Sequence, residues 1–369
     1  MPARLTYLAR RFDWMLVAAA VLLVAVGLAT LFSITLNVEQ PRIDKFYRQL
    51  VSCLIGLAVM VGAAVLDWRV LRSFAWVLYG LGLALLVGLL IIGTTLRGTT
   101  GWYSFFGSTF QPVELVKIIL VIGLTRFFID RVDQQMSWRV IGWSALIAGV
   151  PAALVLLQPD FGSATILVGL WLGLLLLNRI PFRRLAVLLL SMIVVGGMSW
   201  FGLRDYQRDR ILTFVNPDRD PLRSGYNIRQ AIVAVGSGQL FGRGLGLGTQ
   251  SQLNFLPTQD TDFIFAVLAE ELGFVGVLLL LALFTVFLWR LWLGVERTRD
   301  VFGSALLAGF VMLFAIEVFL NIGGNVGLLP ITGTPLPFLS FGGSALISSL
   351  LTVGICMSVL ARSSAAPVR

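Results

Sequence analysis

A chain of 369 residues that is 57% hydrophobic and 13% charged, with mean hydropathy +0.90, excludes an ordinary soluble domain and reads as a polytopic membrane protein. The formal charge is +9, but the arginines sit mostly in loops, so the charge is a topology signal and nucleic acid is not an expected partner. The absence of histidine excludes any mechanism that needs an imidazole base or ligand, and Cys53 and Cys356, both inside apolar segments, predict free buried thiols.

Ten apolar segments can be drawn: 14–36, 47–66, 74–92, 112–129, 139–157, 162–178, 185–203, 262–288, 304–322 and 341–361. The first follows Arg10 and Arg11, but it is longer than a signal-peptide core and lacks an A-x-A site at its end, so it reads as an uncleaved span. The expected fold is an all-α polytopic integral membrane protein, one domain over 1–369. A long extracytoplasmic loop, 204–261, separates spans seven and eight. With both termini cytoplasmic, the inner loops and ends collect most of the arginines. The short outer loops then hold only Arg42, Lys45, Arg48 and Arg97.

Arg48 lies at the start of the second span, as an interfacial anchor or a phosphate contact. The second outer loop runs R-G-T-T-G-W-Y-S-F-F-G-S-T-F-Q-P-V-E-L-V-K. Its aromatics Trp102, Tyr103, Phe105 and Phe106 suit a membrane-interface belt. Pro112 suits the first turn of a helix, and Glu114 a helix N-terminus. Lys117, three residues on, shares that face, so Glu114 and Lys117 read as an ion pair, for stability or lining a substrate site. Asp160, in L-Q-P-D-F-G-S, is a turn residue or helix cap, or a site residue.

The long loop starts basic, with Arg208 and Arg210, turns at Asn216-Pro217 and Asp220-Pro221, and predicts a short amphipathic helix near 225–235. The glycine run at 238–248 matches neither dinucleotide-binding nor phosphate-loop spacing. It reads as a flexible loop, or as a re-entrant loop whose backbone N–H groups meet an anion.

Then comes F-L-P-T-Q-D-T-D-F-I-F-A-V-L-A-E-E-L-G-F-V-G at 255–276. Asp262 is expected on the first helical turn, at the water boundary. Glu270 and Glu271 follow about 12 Å deeper, where acids face protein or a cavity. Ala266, Ala269, Gly273 and Gly276 fall within roughly 40° of Asp262's direction. That stripe predicts either close helix packing or a groove under a reactive carboxylate. Asp260, in the polar Thr-Gln-Asp run, is expected to be solvated and movable. The segment N-I-G-G-N-V-G-L-L-P-I-T-G-T-P-L-P-F-L-S-F-G-G-S is too apolar for a solvent loop, so it is expected against protein at membrane depth.

Five segments together resemble the SEDS family, the RodA/FtsW/SpoVE proteins of bacterial cell-wall synthesis. They are F-Q-P-V-E at 110–114, Q-P-D-F-G at 158–162, G-T-Q-S-Q-L at 248–253, T-D-F-I-F-A-V-L-A-E-E-L-G at 261–273, and G-L-L-P-I-T-G-T-P-L-P-F-L-S-F-G-G-S at 327–344. G-T-Q-S-Q-L is similar to the elongation branch, typified by RodA. The resemblance implies a peptidoglycan glycosyltransferase of the cytoplasmic membrane that polymerises lipid II for elongation and rod shape. It implies work beside a class B penicillin-binding protein and other elongation-complex membrane proteins. It makes Asp262 the catalytic carboxylate, and Trp102, Gln111, Glu114, Lys117, Asp160, Arg48, Arg210 and Arg243 expected substrate contacts. Gly101, Thr109, Val113 and Asp260 depart from residues that relatives often carry. The loss of two cations there shifts the diphosphate charge onto Lys117, Arg48, Arg210 and Arg243.

The chemistry needs one base for the acceptor hydroxyl and cations for the leaving diphosphate, which departs as an anion without a general acid. One carboxylate therefore suffices, unlike the pair in most glycosidases. A divalent cation such as Mg2+ is compatible, although no cluster shows ligand spacing. A lipid II flippase would use the same ligand with no chemistry, with its charges running through the membrane. A non-catalytic scaffold would not need Asp262.

Overall fold

The computed structural model describes residues 11–35, 43–96, 98–105, 108–131, 136–199, 208, 212–213, 224–253 and 255–363. The chain is mostly helical, and each predicted apolar segment lies on a helix: α1 (Trp14–Thr35), α2 (Ile43–Val65), α3 (Arg69–Ile92), α4 (Pro112–Ile129), α5 (Trp138–Leu157), α6 (Phe161–Leu177) and α7 (Phe182–Ser199), then α10 (Ile264–Arg297), α11 (Val301–Asn325) and α12 (Gly343–Ser363). Between α7 and α10 lie α8 (Ser224–Ser237) and the single turn α9 (Thr249–Gln252). Among the described residues, 7 helices are long and apolar enough to cross a membrane: α1, α2, α3, α5, α10, α11 and α12. α6 is apolar but shorter.

α4 is the central helix. It is buried on nearly every side, as a helix apolar all round must be, and it packs against α3, α5, α6, α11 and α12. One core joins α1, α2, α10, α11 and α12; a second joins α3 to α6. α12 lies closest to α2. A Cβ on Gly354 would stand 2.3 Å from the Met60 carbonyl oxygen, so only glycine allows that approach. Ile91, Ile193 and Leu279 on the outer faces are exposed, as lipid-facing side chains are. Cys53 and Cys356 are free and buried, as their apolar surroundings predict.

The expectation of an all-helical fold needs correction. The second outer loop forms a three-stranded antiparallel sheet, β1 (Thr94–Leu96), β2 (Thr99–Phe105) and β3 (Ser108–Phe110). β-branched and aromatic residues favour strands, and Gly98, at φ 82, makes the tight turn between β1 and β2. Tyr103 is buried, and its hydroxyl donates to the Leu85 carbonyl at 2.9 Å, pinning the sheet to α3. Tyr103 therefore does not belong to an interface belt. Trp102 is half-buried on β2, and Phe106 lies outside the described residues.

The helix predicted near 225–235 is α8. Ala231 and Ala234 bury against α10 while Ile232 and Val233 stay exposed, which is an amphipathic helix with one face on protein. α10 is broken at Gly273, whose φ of 65 and ψ of −165 leave the helical region. The segment 239–244 crosses the break. Arg243 and Gly244 N–H groups donate to the carbonyls of Glu270 and Glu271, both at 3.0 Å. The Phe274 and Val275 N–H groups donate to Gln239 and Leu240 carbonyls at 2.8 and 3.0 Å. The backbone groups released by the break are thus met by a neighbouring loop, as burial requires.

The small-residue stripe is close packing and not a lipid groove. A Cβ on Gly238 would meet the Ala269 carbonyl oxygen at 1.9 Å, and one on Gly273 the Gly242 nitrogen at 2.2 Å. Gly273→Ala should therefore cost at least about 2 kcal/mol, from a positive φ and an overpacked contact together. Gly196→Ala on α7, where a Cβ meets nothing within 4 Å, should be neutral. Thermal unfolding of the two variants in detergent checks this.

Candidate active site

The polar run before α10 folds as a turn. Thr261 and Asp262 N–H groups donate to the Thr258 carbonyl at 3.0 and 3.1 Å. Helix α10 begins only at Ile264, with Phe263 as the N-cap residue, so Asp262 stands one residue outside the helix rather than on its first turn. Thr258 Oγ1 approaches Asp262 Oδ2 at 3.4 Å. The Asp262 carbonyl accepts from Asn325 Nδ2 at 2.9 Å and from Asn321 Nδ2 at 3.2 Å. The half-buried Asp262 lines a crevice with Asn321, Gly324, Asn325 and residues 331–334, about 190 Å3 counting its open mouth. Gly333 passes over the carboxylate at φ 73. A Cβ there would lie 3.8 Å from Asp262 Oδ2, so the wall beside the acid is bare backbone.

The extended segment 327–342 is held against protein, as its apolar character predicts. Ser340 Oγ donates to the Thr261 carbonyl at 2.6 Å, and the Phe341 N–H to the Asp260 carbonyl at 2.8 Å. Gln49 of α2 holds its far end, donating to Ser340 O and accepting from Gly342 N, both at 3.1 Å. The Phe338 ring inserts among Phe287 and Phe314, with centroids 5.2 and 5.4 Å away.

Asp260 is not solvated and movable. It is buried, and its carboxylate meets Lys45 Nζ of α2 at 2.5 Å. Lys45, an outer-loop cation in the sequence, thus sits beside the turn that carries Asp262. Arg48, one turn on, is exposed.

Glu114 and Lys117 pair as predicted, Nζ to Oε2 at 2.8 Å, but a third member joins them: Glu317 of α11 also binds Lys117 Nζ. All three are buried, an ammonium between two carboxylates. Glu317 is one helical turn, about 5.4 Å, along α11 from Asn321 in the crevice wall.

Asp160 caps α6, accepting from Ser163 N at 3.0 Å and Ser163 Oγ at 2.7 Å. Gln111 reaches it at 3.5 Å and is itself held by Ser344 Oγ at 3.0 Å. Gln111 and Asp160 are thus brought together, at the joint of α4, α6 and α12. Arg243 is exposed on the loop that crosses α10 at Gly273, on the Glu270 side and away from Asp262. Arg210 lies outside the described residues. Among the described residues, none of the predicted contacts lines the Asp262 crevice.

Glu270 and Glu271 serve the glycine run. Glu270 Oε1 accepts from Gln250 N at 2.9 Å and Thr249 Oγ1 at 3.2 Å, and its Oε2 from Ser251 N at 3.2 Å, which caps α9. Glu271 Oε1 accepts from Ser33 Oγ at 2.5 Å and Gly246 N at 3.1 Å. The backbone N–H groups of the run do meet an anion, and it is the protein's own.

With this geometry, the chain can be compared with known proteins. A family model described as cell cycle protein, FtsW/RodA/SpoVE, matches residues 13–365. The chain belongs to this family. It is 39% identical over 319 residues to the peptidoglycan glycosyltransferase MrdB of Escherichia coli, covering 86% of each chain. It is 35% identical over 360 residues to the stage V sporulation protein E of Bacillus subtilis, covering 94% of this chain and 96% of that one. Among solved structures it resembles a chain of a peptidoglycan synthase complex that coordinates polymerization and crosslinking. That match has a TM-score of 0.82 and 31% identity over 95% of this chain and 97% of the other. The rod shape determining protein RodA of Thermus thermophilus follows at TM-score 0.71 and 27% identity, covering 96% and 98%.

Within this FtsW/RodA/SpoVE chain, sequence reading missed Lys45, Asn321 and Asn325 at the site. A signal was present for the α11 residues: Glu317, Asn321 and Asn325 recur every four positions in an otherwise apolar helix, one polar stripe facing protein. Lys117→Met should cost about 3–5 kcal/mol, because it leaves two carboxylates buried without their cation. Removing all three charges in Glu114→Gln, Lys117→Met, Glu317→Gln should restore much of that loss. A triple variant melting no higher than Lys117→Met alone would show that the three do not act as a unit.

Proposed function

We propose that this chain is a peptidoglycan glycosyltransferase that polymerises lipid II, with Asp262 as the base. The names of its relatives support the reaction class. The observation that carries the assignment is local: a carboxylate held outside a helix start, half-buried in a crevice walled by backbone. In the proposed step an Asp262 oxygen takes the proton of the attacking sugar hydroxyl. The hydroxyl oxygen so freed bonds to the anomeric carbon of the donor as the bond from that carbon to the diphosphate breaks. The diphosphate leaves as an anion and needs no proton. A positioned base of this kind contributes about 10²–10⁴-fold.

Among the described residues no three acidic or cysteine side chains group as metal ligands. A divalent cation such as Mg2+ therefore enters the proposal only as one carried on the substrate diphosphate, the usual mode for an ion that keeps substrate phosphates as ligands. Lys45 and Arg48, on the outer turn of α2, are the described cations we place toward that leaving group. Arg210 remains the corresponding residue of the long loop.

All ten apolar helices are proposed to span the cytoplasmic membrane, with both termini inside and 204–261 outside. The basic residues support that orientation. The proposed partner is a class B penicillin-binding protein, with its single span against α10 and α11. Phe274, Leu278 and Phe319 are exposed there. The structural relative from a complex that couples polymerization to crosslinking supports such a partner.

Polymerisation of lipid II by the purified chain in detergent, with and without partner, tests the reading, since detergent leaves nothing to flip across. Asp262→Asn should fold and lose polymer by about 10²-fold or more, while Glu296→Gln, an exposed acid, should keep wild-type rate. Polymer from Asp262→Asn at near wild-type rate would return Asp262 to a structural role. For the topology, a cysteine at Ser224 should react with an impermeant thiol reagent from the outer side, and labelling from the cytoplasmic side alone would overturn it.

A further inference from the structure

We propose that Asn325 is a positioning residue for Asp262: it caps α10 from a neighbouring helix and so keeps the Asp262 carboxylate off the helix start. The inference rests on the reading of Asp262 as the base.

A helix start leaves N–H groups without intrahelical partners, and a local Ser, Thr, Asn or Asp side chain commonly satisfies one of them. Here the N-cap position is held by Phe263, which has no acceptor and makes no capping bond. The preceding Asp262 is the adjacent residue with a carboxylate. Left to local chemistry, an aspartate in that place would be drawn to the free N–H groups of the first turn. The structure shows another arrangement. The Ala266 N–H is taken by Asn325 Oδ1, 59 positions away in the chain, at 3.2 Å. The same carboxamide turns its Nδ2 to the Asp262 carbonyl at 2.9 Å and the Asn321 carbonyl at 2.9 Å. One side chain therefore stands where the 266-to-262 helical hydrogen bond would have formed. It holds the backbone of Asp262 out of the helix and satisfies both ends of the missing bond.

The carboxamide fits this place in one orientation. Its oxygen faces a donor and its nitrogen faces three acceptors, the carbonyls of Asp262 and Asn321 and Asn321 Oδ1; rotated end for end, every one of these contacts would be repulsive. Asn325 is 2% exposed, so no water competes for the groups. Asn321 adds a second amide to the Asp262 carbonyl at 3.2 Å and ties it to Thr334 O at 2.8 Å, across the crevice. The crevice wall and the acid are thus registered to α11 through two carboxamides.

The test uses purified full-length chain and lipid II, with kcat, KM and thermal unfolding measured for each variant. Asn325→Asp keeps the shape and the acceptor for Ala266 N–H but loses the donor to Asp262 O. A misplaced base lowers kcat by about 10–100-fold while KM stays within about threefold. The ratio of variant to wild-type kcat should rise as pH falls, because a protonated aspartic acid at 325 regains a donor. Packing alone predicts neither the kcat-only loss nor this recovery. A wild-type kcat, a loss confined to KM, a ratio that does not move with pH, or a loss that follows the unfolded fraction would each overturn the proposal. Should Asn325→Asp not fold, Asn325→Ala carries the test. It frees the Ala266 N–H to draw the Asp262 carboxylate onto the helix, so kcat should fall by a similar factor at unchanged KM; a wild-type kcat overturns the proposal. Asp262→Asn in parallel separates the two readings. If it still polymerises, the assignment of the base fails. If it is inactive while the Asn325 variants match wild type, only this inference fails.

Discussion

Backbone that leaves helical geometry among buried apolar side chains must have its N–H and C=O groups met by something other than water. An unmet group costs about 1–3 kcal/mol, and this structure leaves the helix in two buried places. At Gly273 the groups released from α10 pair with residues 239–244. Around Asp262 they pair with Asn321, Asn325 and Ser340. Both places lie at the ends of the same short piece of helix, 264–272. That piece is thereby fixed at each end, with Asp262 just outside one end and Glu270 and Glu271 near the other.

The same demand sorts the acids. Glu270 and Glu271 hold the glycine run, Asp160 caps α6, Asp260 takes Lys45, and Glu114 and Glu317 share Lys117. Each has a structural task that the geometry explains. Asp262 differs by lining a crevice beside glycine backbone, with its helix capped by a residue from elsewhere. Depth in the membrane alone does not separate Asp262 from these acids; the crevice and the cap from α11 do. The closed Glu114–Lys117–Glu317 set also weighs against charges strung through the bundle as a transport path, because its members face one another.

Much of this was legible in the chain. Long apolar runs place the helices because burying a backbone in lipid demands internal hydrogen bonds, and that rule acts within each segment. Pro112 opening α4, Asp160 capping α6 and the pairing of Glu114 with Lys117 are likewise local, acting over three or four positions. The strands at 94–110 were not legible, since short aromatic and β-branched stretches serve equally as interface anchors until Tyr103 is seen to reach Leu85.

The sequence by itself determined the membrane class, the succession of helices, the family motifs and the places of the acids in the chain. These follow from composition and from contacts between near neighbours in the chain. Tertiary structure alone decided which cation Glu114, Glu317 and Asp260 each meet, and that Asp262 lines a crevice. Lys117 meets Glu317 at a separation of 200 residues, Lys45 meets Asp260 at 215, and Asn325 reaches Ala266 at 59. Such pairings depend on how α2, α4, α10 and α11 pack, and no local periodicity specifies that.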